Sequence, residues 1–279
     1  MRRVFRVLVV VAVFYAVTLA QGAKVILLIG DGMGPGVVVL TKYYNDYVLK
    51  GRELNLVKLM NRPDSRVSMV TTHSASHLVT DSAAAATAFG TGHKTYNSAI
   101  GLDKDGKPVK LLTELAMEKG MMTGLITTCE IVDATPAGFS AQVTQRGDKE
   151  EIARQQLDRK INLLFGGGGR FFDKTDAKSK GYDVIYDKKD LKRVGKGKSD
   201  YALGLFNQRE MNFVRERTRQ EPSLPEMTRT ALEFLSRSKD GFFLMVEGGR
   251  IDHAAHDNSP LNTIYDVSLI HISEPTRPY

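Results

Sequence analysis

Residues 24–34 read KVILLIGDGMG, a short apolar run followed by a glycine-rich turn that contains Asp31. A continuous apolar run of this length is typical of a strand that is buried on both faces in a parallel sheet. Pro35 suits the first turn of a helix, and apolar residues recur at helical spacing until Gly51. The stretch therefore predicts a strand, a turn and a helix in that order.

The same alternation recurs further along the chain. One helix is predicted to start at Ser82, and another is predicted to end at Gly120. Further strands are predicted at 67–72, 122–127 and 241–246. Strands that alternate with helices indicate an α/β fold with a mostly parallel sheet. Sites in such folds lie at the carboxyl ends of the strands, which is where we look for chemistry.

The composition is that of a globular protein. The chain has 279 residues, of which 42% are hydrophobic and 25% charged, and this excludes disordered and collagen-like classes. The single cysteine, Cys129, excludes a disulfide scaffold or a thiolate zinc site.

The net charge of +7 is unevenly distributed. Arg2, Arg3 and Arg6 contribute three charges, residues 170–220 carry an excess of +6, and about −2 is left for the rest. We expect 170–220 to be a basic surface insert, because neither interleaved aromatic residues nor a nucleic-acid motif accompanies the charges. No nucleic-acid partner is expected.

Residues 1–20 have the pattern of a signal peptide, with arginines, an apolar stretch and small residues at Thr18 and Ala20. The uninterrupted apolar run is about 13 residues, shorter than the roughly 20 of a membrane-spanning helix. We therefore expect a periplasmic or secreted protein without a stable membrane anchor.

Two candidate groups occur in the first third of the chain. Asp31 follows the first strand and could bind a cation, or it could satisfy the turn backbone. Ser82 begins an alanine-rich helix, where the helix dipole favours an alkoxide or a bound phosphate, although a helix cap is the commoner role of such a serine.

Two more groups lie further on. Arg146 follows the DATP sequence at 133–136, and its planar guanidinium matches two phosphate oxygens, although surface arginines are common. In residues 247–256, EGGRIDHAAH, the i, i+4 spacing places Asp252 and His256 on one helix face, within reach of one zinc ion.

Four segments in this order resemble the motifs of the alkaline phosphatases: GDGMG at 30–34, VTDSAAAATAFGTGHKTYN at 79–97, DATPAGFSAQVTQR at 133–146 and VEGGRIDHAAH at 246–256. The resemblance implies a three-layer αβα sandwich around the sheet. It also implies hydrolysis of small phosphate monoesters through a phosphoserine, with two Zn²⁺ ions and one Mg²⁺ ion as cofactors, and a homodimer for the full-length protein.

The resemblance further implies roles for individual residues. Ser82 would be the nucleophile and Arg146 would hold the phosphate, with Asp133 and His253 near the phosphate and the magnesium ion. The metal ligands would be Asp31, Ser82, Thr135, Glu247, Asp252 and His256: Thr135 and Glu247 complete the magnesium site with Asp31, whereas Asp252 and His256 bind one zinc.

The zinc sites of that family also use an Asp-His pair and a further His beyond the last motif, where this sequence has only His271. We therefore expect a C-terminally truncated α/β domain at 21–267, inactive as given, with a foreign or artefactual tail at 268–279. We also expect an uncovered apolar edge or face, and low solubility. The alternatives are a phosphodiesterase or sulfatase of the same superfamily and a non-catalytic exported protein that binds phosphate or polyanions.

Overall fold

The computed structural model describes residues 22–51, 53–194, 196 and 199–271. Six strands form one sheet in the order β1-β6-β2-β3-β5-β4, and every neighbouring pair is parallel. The strands are β1 (Ala23–Gly30), β2 (Met122–Glu130), β3 (Leu163–Gly167), β4 (Asp183–Ile185), β5 (Ala202–Leu205) and β6 (Gly241–Gly248). The α/β class with a mostly parallel sheet is confirmed.

Ten α-helices are described in these ranges. They are α1 (Pro35–Tyr43), α2 (Asn55–Met60), α3 (Ser82–Thr91), α4 (Leu112–Glu118), α5 (Ala134–Ala137), α6 (Lys149–Asp158), α7 (Lys174–Ser179), α8 (Leu224–Leu235), α9 (Arg250–His256) and α10 (Pro260–His271). A π-helical segment, Tyr44–Leu49, extends α1. The predicted helices from Ser82 and before Gly120 are confirmed as α3 and α4.

Helices cover both faces of the sheet because side chains alternate along its central strands. Phe243 and Met245 of β6 lie in a buried cluster with residues of α3 to α7. Phe242, Leu244 and Val246 of the same strand lie in a second buried cluster with residues of α8. Two helical layers with the sheet between them make the three-layer sandwich that was expected.

Strand β1 lies at the edge of the sheet beside β6, so it is not buried as its apolar sequence predicts. The side chains of Val25, Ile26 and Leu28 are 46%, 47% and 54% exposed. The prediction of a strand is confirmed, but the prediction of burial on both faces is wrong. The apolar edge expected from the sequence is present.

The strand predicted at 67–72 is wrong, because this segment is irregular. Its β-branched residues favour a strand, but a strand also needs a neighbour to pair with, and Val67, Met69 and Val70 are exposed instead. The β propensity of this segment therefore gave a wrong prediction, because no neighbouring strand in the described ranges pairs with it.

The basic segment 170–220 is more than a surface insert. It supplies β4 and β5 to the sheet, and Tyr182, Leu203 and Phe206 are buried in the core. Short apolar runs between lysines, glycines and aspartates carried too little pattern for the sequence to reveal these strands. Several of the basic side chains pair with carboxylates, such as Lys188 with Glu226.

Two expected segments fall outside the described residues: the signal peptide at 1–20 and positions 272–279 of the expected tail. Helix α10 continues through His271 and so crosses the expected boundary at 267. Among the helices that the structure describes, none is long and apolar enough to cross a bilayer.

Candidate active site

The register of the strands brings the candidate residues together at the carboxyl ends of β1, β6 and β2. Ile29 of β1 lies beside Glu247 of β6, and Glu247 lies beside Thr127 of β2. Asp31, one turn residue beyond β1, therefore lies near the carboxyl end of β6. This is the position at which open parallel sheets carry their ligand sites.

Ser82 is the first residue of α3, and its hydroxyl faces Asp31. The Oγ atom lies 3.2 Å from Asp31 Oδ1 and 3.1 Å from Asp31 Oδ2, and it donates to this carboxylate. The two residues are 51 positions apart in sequence. Folding thus places the candidate nucleophile beside an acid at the positive end of a helix.

The helix cap at this site is Asp81 rather than Ser82. One Asp81 oxygen accepts from the backbone N–H of Ala84 at 2.9 Å, and the other accepts from the N–H of Ser98 at 2.9 Å. Because Asp81 satisfies the helix end, the Ser82 hydroxyl is available for other contacts. Asp81 was not among the residues predicted from the sequence, although an Asp before an alanine-rich run is a recognisable N-cap signal.

Close packing of α3 on α5 fixes the position of Thr135. A Cβ atom at Gly90 would lie 2.2 Å from the carbonyl oxygen of Gly138, so the two helices approach to a distance that only glycine permits. Thr135 on α5 is buried, and its side chain lowers the pKa of the nearby Glu247, against the effect of burial. Thr127 Oγ1 donates to Glu247 Oε2, at 2.5 Å.

Arg146 lies between two carboxylates. Its guanidinium is 3.6 Å from Asp81 and 3.2 Å from Asp133, and the side chain remains 34% exposed. Burial alone would raise the pKa of Asp133, but Lys149 and Arg146 outweigh it and hold the pKa below its ordinary value. Lys149, which the sequence did not single out, also contacts the buried Glu130 at 2.5 Å.

Asp252 and His256 lie on one face of α9, with 3.4 Å between Asp252 Oδ2 and His256 Nε2. The His256 side chain is 80% exposed and that of Asp252 is 25% exposed. Asp252 packs against the turn after β1, where a Cβ at Gly32 would lie 2.5 Å from Asp252 Oδ1. Gly32 has φ +62, so the turn needs glycine for both reasons.

His253 points away from that pair toward Cys129. Its ring nitrogens lie 3.9 and 4.0 Å from Cys129 Sγ, and Nδ1 is 2.5 Å from Arg250. Burial and Arg250 lower the pKa of His253, whereas burial and Glu247 raise the pKa of the Cys129 thiol. Sequence analysis gave Cys129 no role here.

Three carboxylates crowd this end of the sheet. Burial raises the pKa of Asp31 to about 6, and Asp252 adds to the shift. Burial, together with Asp31, raises the pKa of Glu247 to about 8. Such shifts arise where negative charges are buried close together without matching cations. The arrangement therefore favours the binding of positive ions.

These groups face an open cleft of about 880 Å³. Its lining includes Asp31, Ser82, Thr135, Arg146, Asp252, His253 and His256. Of the other residues predicted from the sequence, Asp133 lies 3.2 Å from Arg146, and the buried Glu247 accepts from Thr127 at 2.5 Å. The cleft combines a hydroxyl nucleophile, an oxyanion-binding arginine and cation ligands, which is a set suited to phosphoryl transfer.

Comparison with known proteins points to one family. A family model described as alkaline phosphatase matches residues 23–271. Alkaline phosphatase 4 of Bacillus subtilis is 39% identical over 262 residues, covering 89% of this chain and 56% of the relative. The crystal structure of Thermus thermophilus alkaline phosphatase superimposes with a TM-score of 0.82 at 32% identity, covering 90% of this chain and 55% of that one.

A third similar structure is a mutant of TAB5 alkaline phosphatase with Mg bound in its M3 site; it has a TM-score of 0.78 and 30% identity, and covers 90% of this chain and 71% of that one. The chain spans about half the length of the curated relatives that it matches.

Proposed function

The chain belongs to the alkaline phosphatase family, and from this premise we propose that it carries the nucleophile of a phosphate monoester hydrolase. The observation that carries the proposal is the position of Ser82. Its hydroxyl contacts Asp31 at the start of α3 and opens into the same cleft as Arg146. A hydroxyl there has both an acceptor for its proton and a neighbour for a phosphate oxyanion.

The donor set fits divalent cations, since Asp31, Asp252 and Glu247 are crowded and the pKa values of Asp31 and Glu247 are raised. We propose that Asp31, Thr135 and Glu247 would hold magnesium, that Asp252 and His256 would hold one zinc, and that Asp31 and Ser82 would hold another. Bound there, the ions would acidify a hydroxyl or water and neutralise charge on phosphoryl oxygens. Two ligands for each zinc are fewer than the three or four that zinc sites use, so each zinc would need further ligands besides these residues.

The residues of this chain divide the work as follows. Arg146 binds two non-bridging phosphate oxygens and holds the phosphorus in front of Ser82. Ser82 Oγ, oriented by Asp31, gives up its proton to solvent and attacks phosphorus, and the bond to the ester oxygen breaks. The leaving alkoxide takes up one proton from solvent and departs as the alcohol. Water then hydrolyses the phosphoserine, releasing phosphate and restoring the Ser82 hydroxyl.

Asp81 and Asp133 position Arg146 from two sides, and we assign Asp133 and His253 to the neighbourhood of the substrate. The wider proposal includes export, supported by the leader-like residues 1–20, and a homodimer of the complete protein, supported by the family resemblance alone. The ester specificity of the cleft is part of the same proposal, because Arg146 suits the dianionic monoester better than a diester.

Phosphoenzyme trapping tests the role of Ser82. The 279-residue chain would be incubated with Zn²⁺, Mg²⁺ and radiolabelled phosphate or p-nitrophenyl phosphate, quenched in acid and mapped by peptide mass spectrometry. We expect label on Ser82 and none in Ser82→Ala. Where turnover is measurable, Ser82→Ala should lower it about 10³-fold or more, because no other nucleophile takes its place.

Ser223→Ala is the matched control, since Ser223 also starts a helix but caps it through Glu226 and lies outside the cleft. This variant should label as the parent does. Label at another residue, or faster hydrolysis of bis-p-nitrophenyl phosphate than of the monoester, would contradict the proposal.

A further inference from the structure

We propose that Cys129, Asp133 and His253 form an additional binding site, next to the proposed magnesium ligand Glu247, for a soft or borderline divalent transition-metal ion, of which Zn²⁺ is the biological example. One ligand atom from each residue lies within 4.8 Å of the other two. The site goes beyond the proposed phosphatase activity, because metal binding by these three residues requires no turnover.

The spacing of the three atoms suits a tetrahedral ion. Bonds of about 2.0–2.3 Å place neighbouring ligands about 3.3–3.8 Å apart in such a site. The distance from Cys129 Sγ to His253 Nε2 is already 3.9 Å. An approach of about 1 Å by the third ligand completes the geometry.

The carboxylate of Asp133 has an oxygen to spare. The backbone N–H of Ala134, Arg146 and Lys149 all contact Oδ1, at 2.9, 3.2 and 4.0 Å. Oδ2 is therefore available to an ion without loss of the helix cap. Binding would also give Arg146 a competing partner for the same carboxylate.

Cys129 forms the floor of the site and decides which ions it takes. Its side chain is buried, with 3% exposure, whereas His253 lines the open cleft, so an ion can enter past the histidine. A thiolate prefers Zn²⁺, Cd²⁺ or Co²⁺ over the hard ion Mg²⁺. The thiol releases its proton to solvent as the ion binds. One thiolate is enough when Asp and His supply the other ligands, which revises the exclusion drawn from the cysteine count.

Arg250 competes with the ion for the histidine. Its Nη1 lies 2.5 Å from His253 Nδ1, so Nδ1 acts as the acceptor and Nε2 carries the proton. An ion on Nε2 needs the opposite tautomer, with the proton on Nδ1, and Arg250 must then withdraw. Its guanidinium lies 3.8 Å from the centroid of the Phe213 ring, and this cation–π contact can hold Arg250 when it leaves His253.

Titration with Co²⁺ tests the site, because Co²⁺ takes zinc ligands and shows a near-ultraviolet charge-transfer band when a thiolate binds it. The chain has one cysteine, so any such band reports Cys129. We expect the band to saturate in the 279-residue chain and to be absent in Cys129→Ser, whatever Co²⁺ the other proposed ion sites take up. His253→Ala and Asp133→Asn should weaken binding by at least about tenfold, since even outer-shell partners of a metal are worth that much.

Arg250→Ala should bind Co²⁺ more tightly than the parent, whereas Asp257→Asn, a control at the exposed C-terminal end of α9, should keep the band and its affinity. Circular dichroism checks the fold of each variant, and His253→Ala, at a partly exposed position, decides the matter if Cys129→Ser misfolds. Absence of the band at saturating Co²⁺ would overturn the site. So would a band that ignores His253→Ala, or an affinity that Arg250→Ala leaves unchanged or weakens.

Discussion

Residues 22–80 and residues 81–268 differ in how completely they bury their apolar side chains. Most exposed large hydrophobic side chains in the described ranges lie in 22–80, including Met69 and Leu78 at 100% and 92% exposure. The later region buries two clusters on opposite faces of the sheet. The later region therefore carries most of the stability, whereas the earlier one contributes Asp31 to the cleft from an edge strand.

A pair of leucines in adjacent strands sharpens this comparison most. Leu244 of β6 is fully buried, and Leu28 of β1 is 54% exposed. Leu244→Ala should lower the free energy of unfolding by about 2–5 kcal/mol, the usual cost of a core cavity. Leu28→Ala should cost less than about 1 kcal/mol. Urea unfolding of both variants measures the difference, and equal costs would show that β1 is as well packed as β6.

The carboxylates where the two regions meet predict a pH effect of a few kcal/mol at most, since one pKa unit corresponds to about 1.4 kcal/mol. The pKa of Glu247 is raised from 4.5 to about 8 in the folded chain. Between these values the unfolded chain has lost a proton that the folded chain keeps. Without divalent ions, the contribution of Glu247 to stability should therefore be full below about pH 4.5 and be lost as the pH rises through about 8.

Thermal unfolding in chelator across this pH range checks the effect, with Glu247→Gln as the control. The amide does not titrate, so its melting temperature should fall less steeply with rising pH. Mg²⁺ should restore part of the parent's stability at high pH if Glu247 helps to hold it. Parallel pH curves for the parent and Glu247→Gln would rule out this residue as the source.

Asp81, at the boundary of the two regions, should contribute about 1–2 kcal/mol as an N-cap. Asp173 is the matched control, because it caps α7 through a similar bond to Asp176 but is exposed. Asp81→Ala should cost more than Asp173→Ala, since Asp81 also holds Ser98 and lies 3.6 Å from Arg146. Chemical denaturation compares the two, and a larger loss at Asp173 would contradict the boundary role of Asp81.

The sequence was informative where one local signal was enough. The apolar runs before Gly30 and within 241–246 predicted β1 and β6, and the spacing of Asp252 and His256 predicted that they share a helix face. Burial was harder, because the runs in β1 and β6 look alike and only the sheet order separates the edge strand from the central one.

The contacts between residues of the site could be identified only from the fold. Asp133 meets Lys149 across α5 and the loop that follows it, and Cys129 meets His253 across 124 residues of sequence. Neither pair has a periodicity or a motif that could reveal it. The proposed nucleophile was predictable because a helix start is a local feature, whereas the proposed transition-metal site depends on where β2 ends relative to α9.

The smallest effect on unfolding, and the one that isolates the exposed surface, comes from Leu28→Lys. Leu28 lies on the apolar surface of 22–80, so the lysine should change the free energy of unfolding by about 0.5 kcal/mol or less. It should nevertheless reduce self-association, because contiguous exposed apolar surface and a free strand edge drive aggregation and a charge on the edge opposes it.

Sedimentation velocity over a concentration series should show large species for the parent and fewer for this variant. Leu115→Lys on α4, at 41% exposure, is the matched control and should associate as the parent does, because no other large hydrophobic side chain of α4 is exposed. A parent chain that sediments as a monomer at every concentration would mean that the 22–80 surface is not adhesive, and that exposure alone does not separate the two regions in solution.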